Sequence, residues 1–266
     1  MKNDIINWLL EENEPSIRYK TLTELLDYPS DHEDVITAKE RVANCKNVER
    51  ILARRDERGL FPHKPEYYGN WTTFNYLTIL AELGVTGDDP RICPIVDWIF
   101  TPGDDKLEYF VQKEFGYAYI LDEANLGSCG QIKFLSTLVR LGYLDDPRAK
   151  RLIEVFVDKG RLDGGYLCKW KKSRHKGQEP KSCLAATVPA LFLYSVLPEC
   201  YRSGEKYDAL INYFTSRDMI FSKTEPGKII DDTRMGLFDG GMSHILTIAY
   251  SMCMLGMGNI PQMKAV

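Results

Sequence analysis

Trp71-Thr72-Thr73-Phe74 opens an apolar run that stops at Leu83-Gly84 and is followed by Asp89-Pro90-Arg91. Cys129-Gly130-Gln131-Ile132 opens a second that stops at Leu141-Gly142 and is followed by Asp146-Pro147-Arg148. Thirteen residues separate Trp71 from Gly84, and thirteen separate Cys129 from Gly142. A pattern repeated in this way has to be weighed before any fold is assigned. Each copy reads as one very apolar helix, a break, and a second, more polar helix. The glycine at the break supplies the positive φ of a helix C-terminus, the aspartate caps the next helix, and the proline sits in its first turn, where a missing N–H costs nothing. Two weaker copies follow. Cys183 precedes the apolar run Leu184 to Leu197, with a partner helix from about Glu205 to Phe214. Ser243-His244 precedes Ile245 to Leu255, which ends at Gly256. From Trp71 the successive repeat spacings to Cys129, Cys183 and His244 are 58, 54 and 61 residues. A unit of this kind cannot cover its own apolar helix. Several must close around a shared centre, apolar helices inside and polar helices outside. The pattern therefore predicts an all-α fold, an α/α toroid or partial barrel of helical hairpins. Its inner helices would lie at about 70–83, 127–141, 182–197 and 241–256.

Before the repeats, Ile5, Ile6, Leu9 and Leu10 predict a short first helix. Pro15 starts a second, with Ile17, Leu22, Leu25 and Leu26 as its apolar face. From about Asp34 to Asp56, Val35, Val42, Val48 and Ile51 stand among many charges, as on a solvated outer helix. The expected organisation is N-terminal helices over residues 1–56, packing on a repeat domain over 57–266.

Composition narrows the function classes. The chain has 266 residues, 44% hydrophobic and 27% charged, which is ordinary for a soluble protein long enough to bury a large core. A net charge of −4 gives no general attraction to nucleic acid or to an anionic membrane. No stretch has the apolar length of a membrane span. The N-terminus carries Asp4, Glu11 and Glu12 and does not resemble a signal peptide, so a cytoplasmic location is expected. Seven scattered cysteines without a Cys-x-x-Cys pair then fit free thiols or metal ligands better than a disulfide framework.

The repeats and their punctuation resemble the α/α-toroid proteins of the prenyltransferase and terpene (squalene) cyclase superfamily, including its uncharacterised bacterial branch. Asp163-Gly164-Gly165-Tyr166 is similar to that superfamily's Asp-Gly-x-Trp turn, with Tyr in place of Trp. Gly59-Leu60-Phe61 and Asp239-Gly240-Gly241 are degenerate versions. The resemblance covers roughly Arg55 to Gly258. Upstream of it, Pro15-Ser16-Ile17-Arg18 and Leu25-Leu26 resemble a HEAT-like hairpin.

If the repeats are equivalent, Cys129, Cys183 and His244 stand at or near the N-termini of three consecutive inner helices, around one mouth of the central cavity. Cys168, just after the Gly-Gly turn, would reach the same mouth. Three thiols and an imidazole there make a tetrahedral Zn²⁺ site, and helix N-termini favour the ligating thiolate. The resemblance implies the same chemistry. Protein prenyltransferases hold catalytic zinc with an Asp-x-Cys at one inner-helix start and a His at a later one, and Cys183 and His244 occupy matching places. Lys181 stands where the acid is expected and Leu184 where a Tyr is expected, so Cys168 or Cys129 would have to complete the set. The competing reading is burial as small hydrophobes, the usual fate of free cysteine. Cys45, Cys93, Cys200 and Cys253 lack repeat-equivalent placement and read as packing or surface residues.

The run Lys169 to Lys176 is the only dense basic stretch. Beside a cavity mouth, Lys171, Lys172 and Arg174 would attract a diphosphate or another anion. A solvated loop is the plainer meaning of such a run. Tyr68, Trp71, Tyr166 and Trp170 are the candidate lining of an isoprenoid-sized pocket, against the alternative of ordinary core. The pairs Asp88-Asp89 and Asp145-Asp146 read as helix caps. No Asp-x-Asp-Asp is present, which disfavours triterpene cyclisation. Two functions follow as expectations. One is a zinc-dependent transferase-like enzyme acting on an apolar or isoprenoid-like donor. The other is a non-catalytic toroid that binds peptide or lipid and whose zinc is structural. Neither calls for a nucleic-acid partner or a membrane-spanning segment.

Overall fold

The computed structural model describes residues 2–61, 73–101, 123, 126–167, 182–219 and 245–265. Among these the regular structure is entirely helical. The helices are α1 (Lys2–Leu9), α2 (Pro15–Lys20), α3 (Glu33–Ala43), α4 (Lys46–Leu52), α5 (Thr73–Leu83), α6 (Cys93–Phe100), α7 (Cys129–Arg140), α8 (Pro147–Val157), α9 (Leu184–Val196), α10 (Glu205–Thr215) and α11 (Ile245–Met254). A π-helical turn, Thr21–Leu25, continues α2, and short 3₁₀ turns occupy Glu199–Tyr201 and Pro261–Ala265. No described helix is long and apolar enough to cross a membrane.

The chain divides into two compact units. The first is residues 1–116 with 140–143, and the second is residues 117–139 with 144–266. In the first unit α2 packs on α3 and α4 packs on α5. Leu22, Val35 and Ala38 form a small core there, closed by Leu10, Tyr19 and Leu26. The stretch expected to be one solvated helix is two, α3 and α4, and its Val35, Val42 and Val48 are fully buried. The break falls at Asn44-Cys45. The Asn44 side chain turns back to donate to the Glu40 carbonyl at 3.1 Å, and Cys45 is extended at φ −77°, ψ 153°. Glu82 of α5 is the charged joint of this unit. It accepts two hydrogen bonds from Arg140, one of them at 3.0 Å, and lies 3.6 Å from Lys20.

The second unit is built on α7 to α11, with α9 packed against both α10 and α11. Its centre is aromatic. Phe156 of α8 stacks on Tyr166 at 5.1 Å between ring centroids and meets Tyr194 of α9 at 5.5 Å, and Tyr194 meets Tyr207 of α10 edge-on at 5.3 Å. Pro189 lies inside α9 without ending it.

The repeated punctuation is visible in the backbone. Gly84, Gly142 and Gly256 close α5, α7 and α11 at φ +92°, +91° and +75°, the left-handed geometry that glycine adopts most cheaply. Asp146 caps α8, its carboxylate accepting the Arg148 backbone N–H at 2.8 Å. Asp89 accepts the Arg91 N–H at 2.9 Å but does not cap α6 as the repeat pattern predicts, because that helix starts only at Cys93 with Ile92 as its N-cap.

Candidate functional site

Two of the expected metal ligands fall on described residues. Cys129 is the first residue of α7 and Cys183 is the N-cap of α9; both are half-buried and neither is in a disulfide. These two helices bury more of their residues than any other described helix. Cys168, His244, the basic residues Lys171, Lys172 and Arg174, and the aromatics Tyr68, Trp71 and Trp170 lie outside the described residues. Among the described residues no group of three or more His, Cys, Asp or Glu side chains is placed to hold a metal ion.

Local chemistry fixes each thiol's position. Before α7, the Ser128 hydroxyl donates to Gln131 Oε1 at 2.8 Å and its backbone N–H reaches the same oxygen at 3.3 Å. This is the reciprocal arm of a capping box, and both side chains are buried. The Ser-x-x-Gln spacing is its sequence signal.

Before α9, the turn 163–166 is clamped to the helix start. The Ser182 hydroxyl donates to Asp163 Oδ1 at 2.5 Å, and the Ser182 and Gly165 backbone N–H groups also donate to that carboxylate. Thr187 accepts the Tyr166 N–H at 3.0 Å and donates to the Cys183 carbonyl at 2.8 Å. Cys183 N–H donates to the Tyr166 carbonyl at 2.7 Å. Burial pushes the Asp163 carboxyl upward, but the Ser182 hydroxyl and the two backbone donors outweigh it and hold the group below its usual range. Asp163, Ser182 and Thr187 carry this joint, and sequence periodicity alone does not point to them.

Tyr166 links the two helix starts. A Cβ on Gly127, two residues before Cys129, would lie 3.8 Å from Tyr166 Cδ1, while the Tyr166 carbonyl holds Cys183. The loops that deliver both thiols therefore meet at one residue. The Tyr166 ring itself is 1% exposed and sits in the aromatic core on Phe156. Burial, with neighbouring Tyr194 next, pushes its phenol far above the usual range, so it stays protonated and neutral. In donor chemistry, two thiols outside any disulfide at helix starts suit Zn²⁺.

The first unit carries a separate open cleft of ≈ 400 Å³ between the C-terminal end of α3 and the Gly84–Arg91 turn. Lys39 pairs with Asp88 across it at 3.1 Å, and Arg91 pairs with its turn neighbour Asp89 and with Glu49 of α4, each at 2.6 Å. Arg91 also donates to the Ala43 carbonyl at 2.6 Å. This arrangement ties α3 and α4 to the repeat hairpin. Comparison with protein-family models, with curated proteins and with solved structures finds no match.

Proposed function

We propose that the chain is an α/α-toroid protein of the prenyltransferase and terpene cyclase type, acting as a zinc-dependent transferase. Cys168, Cys183 and His244 would hold one Zn²⁺, with Cys129 as a fourth ligand or near neighbour. The reading rests on the meeting of the α7 and α9 starts at Tyr166, which brings the stems of Cys129 and Cys183 to a common neighbour. Bound zinc would stabilise an incoming thiol as its thiolate nucleophile. The chain's own contribution is positional. The Asp163–Ser182 and Thr187–Tyr166 hydrogen bonds fix the α9 N-terminus, and with it Cys183, before any ligand arrives. Lys171, Lys172 and Arg174 would hold an anionic leaving group, and Tyr68, Trp71 and Trp170 an apolar or isoprenoid-like donor.

One observation favours the alternative, a non-catalytic toroid that binds peptide or lipid around a structural zinc. Cys183 sits in a closed set of backbone and side-chain hydrogen bonds, as a stapled joint would. Ligand count separates the two readings: four protein ligands for a structural site, three and an open position for a catalytic one. Protein purified without added metal is expected to carry one zinc per chain. Cys183→Ala and His244→Ala should lose it, and Cys93→Ala and Cys253→Ala should keep it. Full retention by Cys183→Ala, or a metal-free wild type, would remove the zinc site and the transferase reading with it.

A further inference from the structure

The N-terminal helices combine uncovered apolar side chains with unpaired acids. At 100° per residue, Trp8, Ile5, Leu9 and Ile6 of α1 fall within a sector about 160° wide, which Lys2 enters between Leu9 and Ile6. Ile6 and Leu9, on one side of it, are half-buried, whereas Ile5 and Trp8 on the other are 53% and 64% exposed. The helix is nevertheless anchored. The Leu10 carbonyl accepts a hydrogen bond from Arg18, Glu12 pairs with Arg41 at 2.7 Å, and Leu10 packs on the Leu22, Val35 and Ala38 core. Leu25, at the end of the π-helical turn, is 56% exposed. Five of the nine large exposed apolar side chains among the described residues fall between Ile5 and Tyr28. A sector of this kind on a fixed helix marks a contact surface rather than a frayed end.

Charge identifies the occupant. Residues 2–34 carry nine carboxylates against three lysine and arginine side chains, while the remaining chain has a slight excess of bases. Glu11, Glu14, Asp27, Asp31 and Glu33 are exposed, and none has an ion-pair partner among the described residues. A second copy of this surface would set carboxylates against carboxylates, and an anionic bilayer would be repelled in the same way. An apolar strip bordered by lysines or arginines satisfies both features at once. We propose that α1 and the acidic segment following it form a docking surface for a basic amphipathic helix of a partner protein. This inference is independent of the zinc reading.

The test titrates the full chain with a fluorescent amphipathic peptide of leucine and lysine, and with its leucine–glutamate counterpart. The basic peptide should bind saturably and more weakly as salt rises, and the acidic one should not bind. Ile5→Ser with Trp8→Ser should weaken binding by about tenfold or more, as loss of a central anchor does. Trp8→Ser alone provides a second variant at the outermost position. Neither should alter the helical circular dichroism or the melting point, because both side chains already face water. Neutralising Glu11, Glu14, Asp27, Asp31 and Glu33 to their amides should flatten the salt dependence. Undiminished binding by the serine variants would overturn the proposal by reducing the association to bulk charge. So would equal binding of the acidic peptide, or exposed Trp8 mediating self-association or adsorption to phosphatidylserine vesicles in its place.

Discussion

Gly164 has no room for a side chain. Its φ is +81°, and a Cβ there would lie 1.9 Å from the Ala209 carbonyl oxygen of α10 and 2.6 Å from the carbonyl carbon. The obstacle is helix backbone, which cannot swing aside as a side chain can. Gly142 has a similar φ of +91° with nothing within 4 Å of the added carbon. The two positions separate backbone strain from crowding. Gly142→Ala should cost about 1 kcal/mol, the left-handed penalty alone. Gly164→Ala should cost well over about 2 kcal/mol, because α10 must move as well. Urea denaturation of both variants checks this, and equal midpoints would mean that the approach of α10 to the turn is not as described. The Asp-Gly-Gly-Tyr turn was legible from sequence as punctuation. Its partners were not: Ala209 lies 45 residues beyond Gly164, and Ser182 lies 19 beyond Asp163. No local pattern encodes those approaches.

At the level of elements, the two Asp-Pro-Arg turns are near copies, although only Asp146 is a helix N-cap. In each, the arginine Nε donates to the aspartate Oδ1, at 2.9 Å for Arg91 and 3.0 Å for Arg148, and one terminal nitrogen reaches Oδ2 at 2.6 Å. Arg91 goes on to Glu49 of α4 and the Ala43 carbonyl that ends α3. Arg148 has 41% of its side chain in water and Arg91 has 27%. Arg91→Ala should therefore cost about 1.5–3 kcal/mol, because the Ala43 carbonyl and Glu49 lose a charged donor. Thermal melts of Arg91→Ala check this, and an unchanged midpoint would deny Arg91 its tying role. The duplication was plain in the sequence, and so was the apolar face of Val35, Val42 and Val48. The division into α3 and α4 was not. Charges around that face matched a solvated helix, whereas the break serves to present the Ala43 carbonyl to an arginine 48 residues away.

At the scale of the whole molecule, each of the four stretches expected as inner helices contains a helix, at Thr73–Leu83, Cys129–Arg140, Leu184–Val196 and Ile245–Met254. Helix existence was readable because apolar period, glycine stops and aspartate caps are local properties. Closure into a ring depends on contacts between repeats, which composition and period do not specify. The acid response is a property of the whole chain. In the first unit, burial raises Glu82, but Arg140 and then Lys20 more than offset it, while the Arg91 hydrogen bond lowers Asp89 against its burial. In the second, Arg148 lowers Asp146 in the same manner, and Asp163 is held low by Ser182 and backbone donors against burial. A carboxyl whose folded pKa lies below its unfolded value binds protons more readily in the unfolded chain. Its stabilisation is complete above the unfolded pKa of about 4 and disappears as pH falls through the folded value. All four act in the same direction. Stability should therefore vary little from these groups between neutrality and about pH 5, and should fall progressively below about pH 4. Glu82→Gln should lower stability at neutral pH and make the acid limb shallower, because the glutamine cannot bind the proton whose uptake drives that part of the transition. Urea titrations at a series of pH values would test this. An acid limb unchanged by Glu82→Gln would show that the Arg140 and Lys20 contacts do not hold that carboxylate in the folded protein.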